Sequence, residues 1–174
     1  NSRNYFEYDS QGRLTSSEYC YDASNSNCND SDLTTYTYNG NGSITVTGYY
    51  DNSVDYTSTV ELDSSGNIIS VLDNSGGCTY TASLDYDNYK APFKNIVGVS
   101  AMIMTEWILT GAEIIGYNNN VTLWVENSVC DGDDENYTDT YNYTYDYNDA
   151  GYPRNIIMSD ESFGGEETIT ITYN

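Results

Sequence analysis

A seven-residue frame recurs along the chain and dictates its architecture. It consists of a bulky residue, Asp or Asn, two variable residues, Gly, one more residue, then an apolar residue or Pro. It reads Tyr8-Asp9-Ser10-Gln11-Gly12-Arg13-Leu14, then Tyr38-Asn39-Gly40-Asn41-Gly42-Ser43-Ile44. It returns as Leu62-Asp63-Ser64-Ser65-Gly66-Asn67-Ile68 and as Tyr147-Asn148-Asp149-Ala150-Gly151-Tyr152-Pro153. The chemistry is that of a reversal. Asp9, Asn39, Asp63 and Asn148 can bond the backbone two residues on, while Gly12, Gly42, Gly66 and Gly151 can take positive φ at little cost. A type I turn followed by a left-handed Gly makes a bulged loop between antiparallel strands. A fifth copy, Tyr86-Asp87-Asn88-Tyr89-Lys90-Ala91-Pro92, has Lys in place of Gly and is expected to leave the sheet.

The flanks carry strand periodicity. Tyr56, Ser58, Val60 and Leu62 share a parity, as do Tyr80, Ala82, Leu84 and Tyr86, and Ile169, Ile171 and Tyr173. In "YTDTYNYTYDY", Tyr137, Tyr141, Tyr143, Tyr145 and Tyr147 fall on one face, the pattern of a half-buried strand. Reversals are expected near 10–12, 40–42, 64–66, 74–77 and 149–151. One segment departs from this. Across "PFKNIVGVSAMIMTEWIL", Pro92 suits a helix start and Ile96, Val99, Ile103 and Trp107 fall at helical spacing. The alternative is a pair of buried strands, since Val and Ile are frequent and Gly98 and Gly111 interrupt the pattern. Lys94, Asn95 and Glu106 argue against a membrane span there. The expected fold is mainly β (α+β): one domain over 1–174, a single large antiparallel meander of hairpins with a short helical insertion at 93–110 packed on a face.

Composition decides between that fold and disorder. The 174 residues include five Lys and Arg against 27 Asp and Glu, a net charge of −22. Such a balance can keep a chain unfolded, but 20 Tyr with runs of Val, Ile and Thr supply sheet-forming apolar area. The same charge excludes nucleic-acid binding, which depends on cations neutralising phosphates, and electrostatic docking on anionic membranes.

Cys20, Cys28, Cys78 and Cys130 show no zinc spacing, and the chain has no His. An even cysteine count in this composition suggests two disulfides and an oxidising compartment. Cys20–Cys28 and Cys78–Cys130 are the favoured pairings of the three possible. The chain opens inside the pattern, at "NSRNYFEYD", and the expectation is an exported chain whose signal has been removed.

The wording around Tyr8-Asp9 to Leu14 resembles the tyrosine-aspartate (YD, Rhs-type) repeat family, although Arg follows Gly only at Arg13. The uneven spacing, with "LDYDNYKAPFKNI" and "NNNV", is more similar to uncharacterised secreted or lipid-anchored envelope proteins of Gram-negative bacteria. That resemblance implies a fold and a compartment: the cell envelope or the extracellular space, with a lipid anchor through a removed N-terminus as one of the forms. It transfers no catalytic residues.

Without His, the Ser-His-Asp and Cys-His nucleophile arrangements are impossible. Neither G-x-S-x-G nor a P-loop is present, and "GNGS" at 40–43 lies in a hairpin loop. Glu106, Glu113 and Glu126 are the carboxylates nearest apolar stretches and could serve glycoside hydrolysis. Asp131, Asp133, Asp134 and Glu135, with Asp30 and Asp32 in a second acidic loop, offer hard oxygens to Ca²⁺ but lack the EF-hand frame. Trp107 and Trp124 are the two Trp residues. Trp124, on the face opposite Val121, Leu123 and Val125, is a candidate for stacking on sugars or for the core. The sequence therefore points to an exported, monomeric, non-catalytic binding or structural module. It would need no cofactor, and its partner would be a surface glycan or an envelope protein. A carboxylate-based glycan hydrolase is the alternative.

Overall fold

The computed structural model describes residues 2–21, 31–92, 94, 118–132, 136–161 and 164–173. They build eleven strands in one antiparallel sheet whose spatial order is the chain order. These are β1 Arg3–Tyr8, β2 Leu14–Cys20, β3 Ser31–Tyr38, β4 Ser43–Tyr50, β5 Ser53–Leu62, β6 Ile68–Ser75, β7 Cys78–Tyr86, β8 Val121–Cys130, β9 Tyr137–Tyr147, β10 Pro153–Asp160 and β11 Gly165–Thr170. Among the described residues the sheet is a pure meander with β1 and β11 at its edges, and no helix is seen. The helix expected at 93–110 lies outside the described residues, apart from Lys94.

The Gly frames close the β1–β2, β3–β4, β5–β6 and β9–β10 hairpins. Gly12, Gly42, Gly66 and Gly151 take φ of 76°, 89°, 86° and 79°. In each, the Gly N–H donates to the carbonyl of the Asp or Asn three residues back, whose own N–H reaches the residue beyond the Gly. The carboxylate or amide oxygen of Asp9, Asp63 and Asn148 also accepts two backbone N–H groups, as with Ser65 and Asn67 on Asp63 at 2.8 and 2.9 Å. Asn39 differs: its amide donates to Ser43 and Thr45, and Asn41 accepts the Ser43 N–H.

At the other end of the sheet, Gly76–Gly77 and Asp51–Asn52 join β6 to β7 and β4 to β5. All four residues have positive φ, the backbone of a two-residue turn whose twist matches the strands. The first falls at the expected 74–77. The second was not anticipated, and it works because Asp and Asn tolerate the left-handed region.

Paired residues share a face, so the registers define two. Ile44, Val60, Val71 and Ala82 form one cross-strand row, and Leu84 continues through Trp124 to Tyr141. With Leu14, Tyr36, Val46, Ile68, Val121, Tyr143 and Ile156 they make the buried core cluster, against which the half-buried Tyr141 packs. The opposite face is hydroxyl-rich, with Thr37, Thr45, Thr59, Leu72, Thr81, Asn127 and Thr138 in register. Each fully buried Val or Ile contributes about 1.5–3 kcal/mol, so the sheet is held by one apolar face.

The degenerate fifth frame does leave the ladder. β7 and β8 are neighbours, yet the chain between them runs from Asp87 to Asn120. Its two feet are clamped together: Ala91 N–H donates to Asn118 O at 3.1 Å, and Asp87 N–H to Asn120 O at 3.0 Å. Asn67, 1% exposed, locks the return. Its oxygen accepts the N–H groups of Asn118 and Asn119, and its amide donates to Asp63 and Asn119. The Asn120 amide and the Tyr147 hydroxyl both donate to Asp87, and Tyr147 stacks on Tyr89 at 4.0 Å. The Gly turns therefore serve a second purpose as anchor points for the excursion.

A disulfide joins Cys78 to Cys130, which are directly paired across β7 and β8. Cys20 is also disulfide-bonded, and Cys28 lies outside the described residues.

Candidate functional site

Two rows of side chains on the core-bearing face of β1–β5 create a cleft of about 720 Å³. Phe6, Ser17, Thr34, Gly48 and Tyr56 are consecutive cross-strand partners, and Asn4, Tyr19 and Asp32 form the next row. The long row has small residues at its centre and aromatic rings at its ends, which is what hollows the surface. Tyr21, Tyr49 and Tyr50 add further rings, and Asp55 a second carboxylate. Asp55 is the extra residue of a bulge: Gly48 opposes Tyr56 but Tyr49 opposes Val54. Bulges of this kind re-aim side chains beside sites.

Several hydroxyls are fixed in place. Tyr21 donates to Asp32, Tyr56 and Thr34 lie 3.5 Å apart, and Tyr36 meets Ser17 at 3.3 Å beneath the cleft. Burial pushes the Tyr36 pKa up to about 12, and burial likewise raises Tyr56. These phenols are neutral at physiological pH. Phe6, Tyr19, Tyr21 and Tyr50 remain exposed, and no Lys or Arg lines the cleft. The arrangement offers flat aromatic faces ringed by hydroxyl, amide and carboxylate groups.

Other residues singled out by sequence lie elsewhere. Asp9, Gly12, Asn39, Gly42, Asp63, Gly66, Asn148 and Gly151 sit in the hairpin turns. Trp124 is 2% exposed and packs on Tyr141 at 5.6 Å. It belongs to the core, and with no free face it cannot stack on a sugar. Its burial follows from pairing with Leu84 and Tyr141 on the core face. A register shift between Asp85 and Tyr86 makes Thr122 an extra residue and turns Val121 to that same face, where it too is buried. Trp107, Glu106, Glu113, Asp30, Asp133, Asp134 and Glu135 lie outside the described residues, while Asp131 follows β8 with its N–H on Gly77 O. Asp32, read as part of an acidic loop, stands instead in β3 at the cleft.

Glu126 faces the same side from β8, directly opposite Asp139, and accepts the Tyr80 hydroxyl at 2.7 Å. Burial raises its pKa, the Tyr80 hydrogen bond pulls it back, and Asp139 adds to the rise; the net shift is upward. It does not line the cleft. Of the cleft residues only Asp32 and Tyr56 were singled out by sequence reading; Phe6, Tyr19, Gly48 and Asp55 are among those passed over. Gly48 carried a usable signal, since an isolated Gly inside a strand marks a bulge or a close approach.

The fold and cleft together define a class: an eleven-stranded antiparallel meander bearing an aromatic groove on the core face of β1–β5. No family model and no curated protein matches the chain. Among solved structures its fold is similar to that of a porin-like protein from Bacteroides vulgatus ATCC 8482. The TM-score is 0.53, with 14% identity over 97% of this chain and 91% of that one. At that identity the likeness is one of fold.

Proposed function

We propose that the protein is an exported module of the bacterial cell envelope that binds a neutral glycan in the β1–β5 cleft, without catalysis. The observation that carries this reading is the groove itself: Phe6, Tyr19, Tyr21, Tyr50 and Tyr56 surround Asn4, Ser17, Asp32 and Thr34. Sugars present apolar C–H faces with hydroxyl rims, and amphipathic rings with nearby hydrogen-bonding groups suit them. The disulfide supports an oxidising compartment, and the resemblance to secreted YD-like envelope proteins supports export.

Among the described residues no helix is long and apolar enough to cross a membrane. A membrane-spanning barrel would carry an apolar band on its outward face. Here the face opposite the core mixes Thr37, Thr45, Thr59 and Thr81 with Leu33, Val54, Leu72, Val125 and Val129. We read a peripheral, lipid-anchored or released form chiefly from the resemblance to secreted envelope proteins.

The hydrolase alternative draws on Asp32 and Asp55, two carboxylates in one cleft. Asp32 accepts the Tyr21 hydroxyl, a commitment that suits a positioning acceptor better than a proton shuttle.

Screening the purified protein against arrayed neutral and acidic glycans tests the proposal. The expected result is binding of neutral glycans that Phe6→Ala with Tyr19→Ala abolishes. Binding that survives both changes, or no neutral glycan bound, overturns it. Release of reducing ends that stops in Asp32→Asn or Asp55→Asn would establish the hydrolase instead.

A further inference from the structure

We infer that Tyr56, laid flat on Gly48, is the platform on which the cleft stacks one ring of a neutral pyranose; this rests on the glycan-binding reading above. Gly48 is the only residue of its row without a side chain. A Cβ placed there would stand 2.1 Å from Cε1 of Tyr56 and 2.5 and 2.6 Å from Cζ and Cδ1. The nearest ring atom is flanked by its two bonded neighbours at only slightly greater distance. That pattern belongs to a point above the ring plane, because an approach within the plane would leave the neighbours much farther away. The phenol therefore lies face-on against the backbone of β4, as aromatic rings do when they cover a strand glycine.

A ring that lies along the sheet has one face turned to the backbone and the other turned away from it. Tyr56 lines the cleft, so that second face is the one a ligand meets. Gly48 and Tyr56 are direct cross-strand partners, and the Tyr56 hydroxyl rests 3.5 Å from Thr34 Oγ1. With both ends of the ring held, little side-chain freedom is left to lose on binding, which favours affinity. Thr34 and Ser17 flank the platform in the same row, Asp32 lies in the next, and Asp55 is offset by the bulge. These groups can take the equatorial hydroxyls of a sugar whose C–H face rests on the ring.

The chemical class follows from charge. No cation lines the cleft, two carboxylates do, and the chain carries a net charge of −22. Uronic acids and sulfated or phosphorylated saccharides are repelled, and an uncharged pyranose is admitted. Gly48 is then a positioning residue: it never touches the sugar, but any side chain there displaces the ring that does.

Isothermal titration of the whole chain with cellohexaose, xylohexaose, mannohexaose and laminarihexaose, and with polygalacturonate as the acidic counterpart, supplies the probe. The tightest neutral ligand is carried into the variants, each checked by circular dichroism and melting. Tyr56→Phe is expected to stay within about two-fold of the parent. Tyr56→Ala and Gly48→Ala should each weaken binding at least ten-fold. Adding Gly48→Ala to Tyr56→Ala should cost nothing more, because both act through one ring. Tyr56→Leu keeps bulk without a π-face and replaces Tyr56→Ala if that variant does not fold. Unchanged affinity in Tyr56→Ala or Tyr56→Leu, with binding still lost in Phe6→Ala and Tyr19→Ala, overturns the platform and leaves glycan binding standing. Tighter binding of polygalacturonate overturns the neutral class, and failure of all four hexasaccharides to bind overturns both readings.

Discussion

Gly42 stands at φ 89° with nothing within 4 Å of where a Cβ would sit. Any penalty for a side chain there is conformational and not steric. Gly42→Ala should therefore destabilise by about 1–2 kcal/mol, read as a shift in the urea midpoint at unchanged slope, and Gly42→Asn by less, because Asn tolerates this region. Asn67 is a harder case. Its oxygen is the partner of two backbone N–H groups at 3.1 and 3.2 Å in a site closed to water. Asn67→Ala orphans both and should cost about 2–4 kcal/mol. Charge acts at this scale too. Burial alone would raise the Asp63 pKa, but the Asn67 amide and the backbone N–H groups of Asn67, Ser65 and Gly66 outweigh it and hold the carboxyl below its usual range. That support is present above the ordinary aspartate pKa and is lost as pH falls through the lowered one. Glu126 has the opposite sign. Its raised pKa makes ionisation unfavourable in the folded state, a penalty present at neutral pH and relieved on acidification. Glu126→Gln should raise the melting temperature at pH 7, and the gain should shrink towards pH 4.

At the scale of elements, β7 and β8 share a ladder although a long excursion separates them, and the Cys78–Cys130 link closes a 52-residue span. Removing that link alone, in Cys78→Ala with Cys130→Ala, should lower stability by about 4 kcal/mol on the loop-entropy account, measured by denaturant unfolding without reductant. The hairpin ends were legible in the sequence because their cause is local: an Asx acceptor and a Gly within seven residues settle the reversal. The Tyr face of β9 was legible for the same reason, since alternation needs no knowledge of partners. Val121 was misplaced because the extra residue that turns it inward is a property of the β7–β8 register, which no single strand encodes. The cleft was illegible on the same ground. Phe6, Ser17, Thr34, Gly48 and Tyr56 lie as far apart as fifty residues and meet only after four ladders have found their registers. The Asp51–Asn52 turn was a missed local signal, since Asp and Asn are the residues that most readily replace Gly there.

At the scale of the whole molecule, the described residues form one sheet rich in half-buried and buried phenols. Tyr36, Tyr56, Tyr80, Tyr86, Tyr145 and Tyr147 all have pKa values raised, with burial the largest cause in each. In the unfolded chain they ionise near 10, whereas Tyr36 in the fold holds its proton to about 12. Above pH 10 the unfolded state binds fewer protons, so stability falls as pH rises. Alkaline titration should show part of the tyrosinate absorbance rising together with loss of sheet signal; ionisation that is complete before the sheet signal falls would place these six phenols in water. The pinch of Ala91 against Asn118 has a different consequence. Both feet of the excursion are fastened to turns of the sheet, so the sheet itself sets the spacing of the two ends. Doubling such a loop costs only about 0.6 kcal/mol. That neck is a natural socket where a foreign peptide or small domain could be grafted and displayed while the eleven strands fold unchanged.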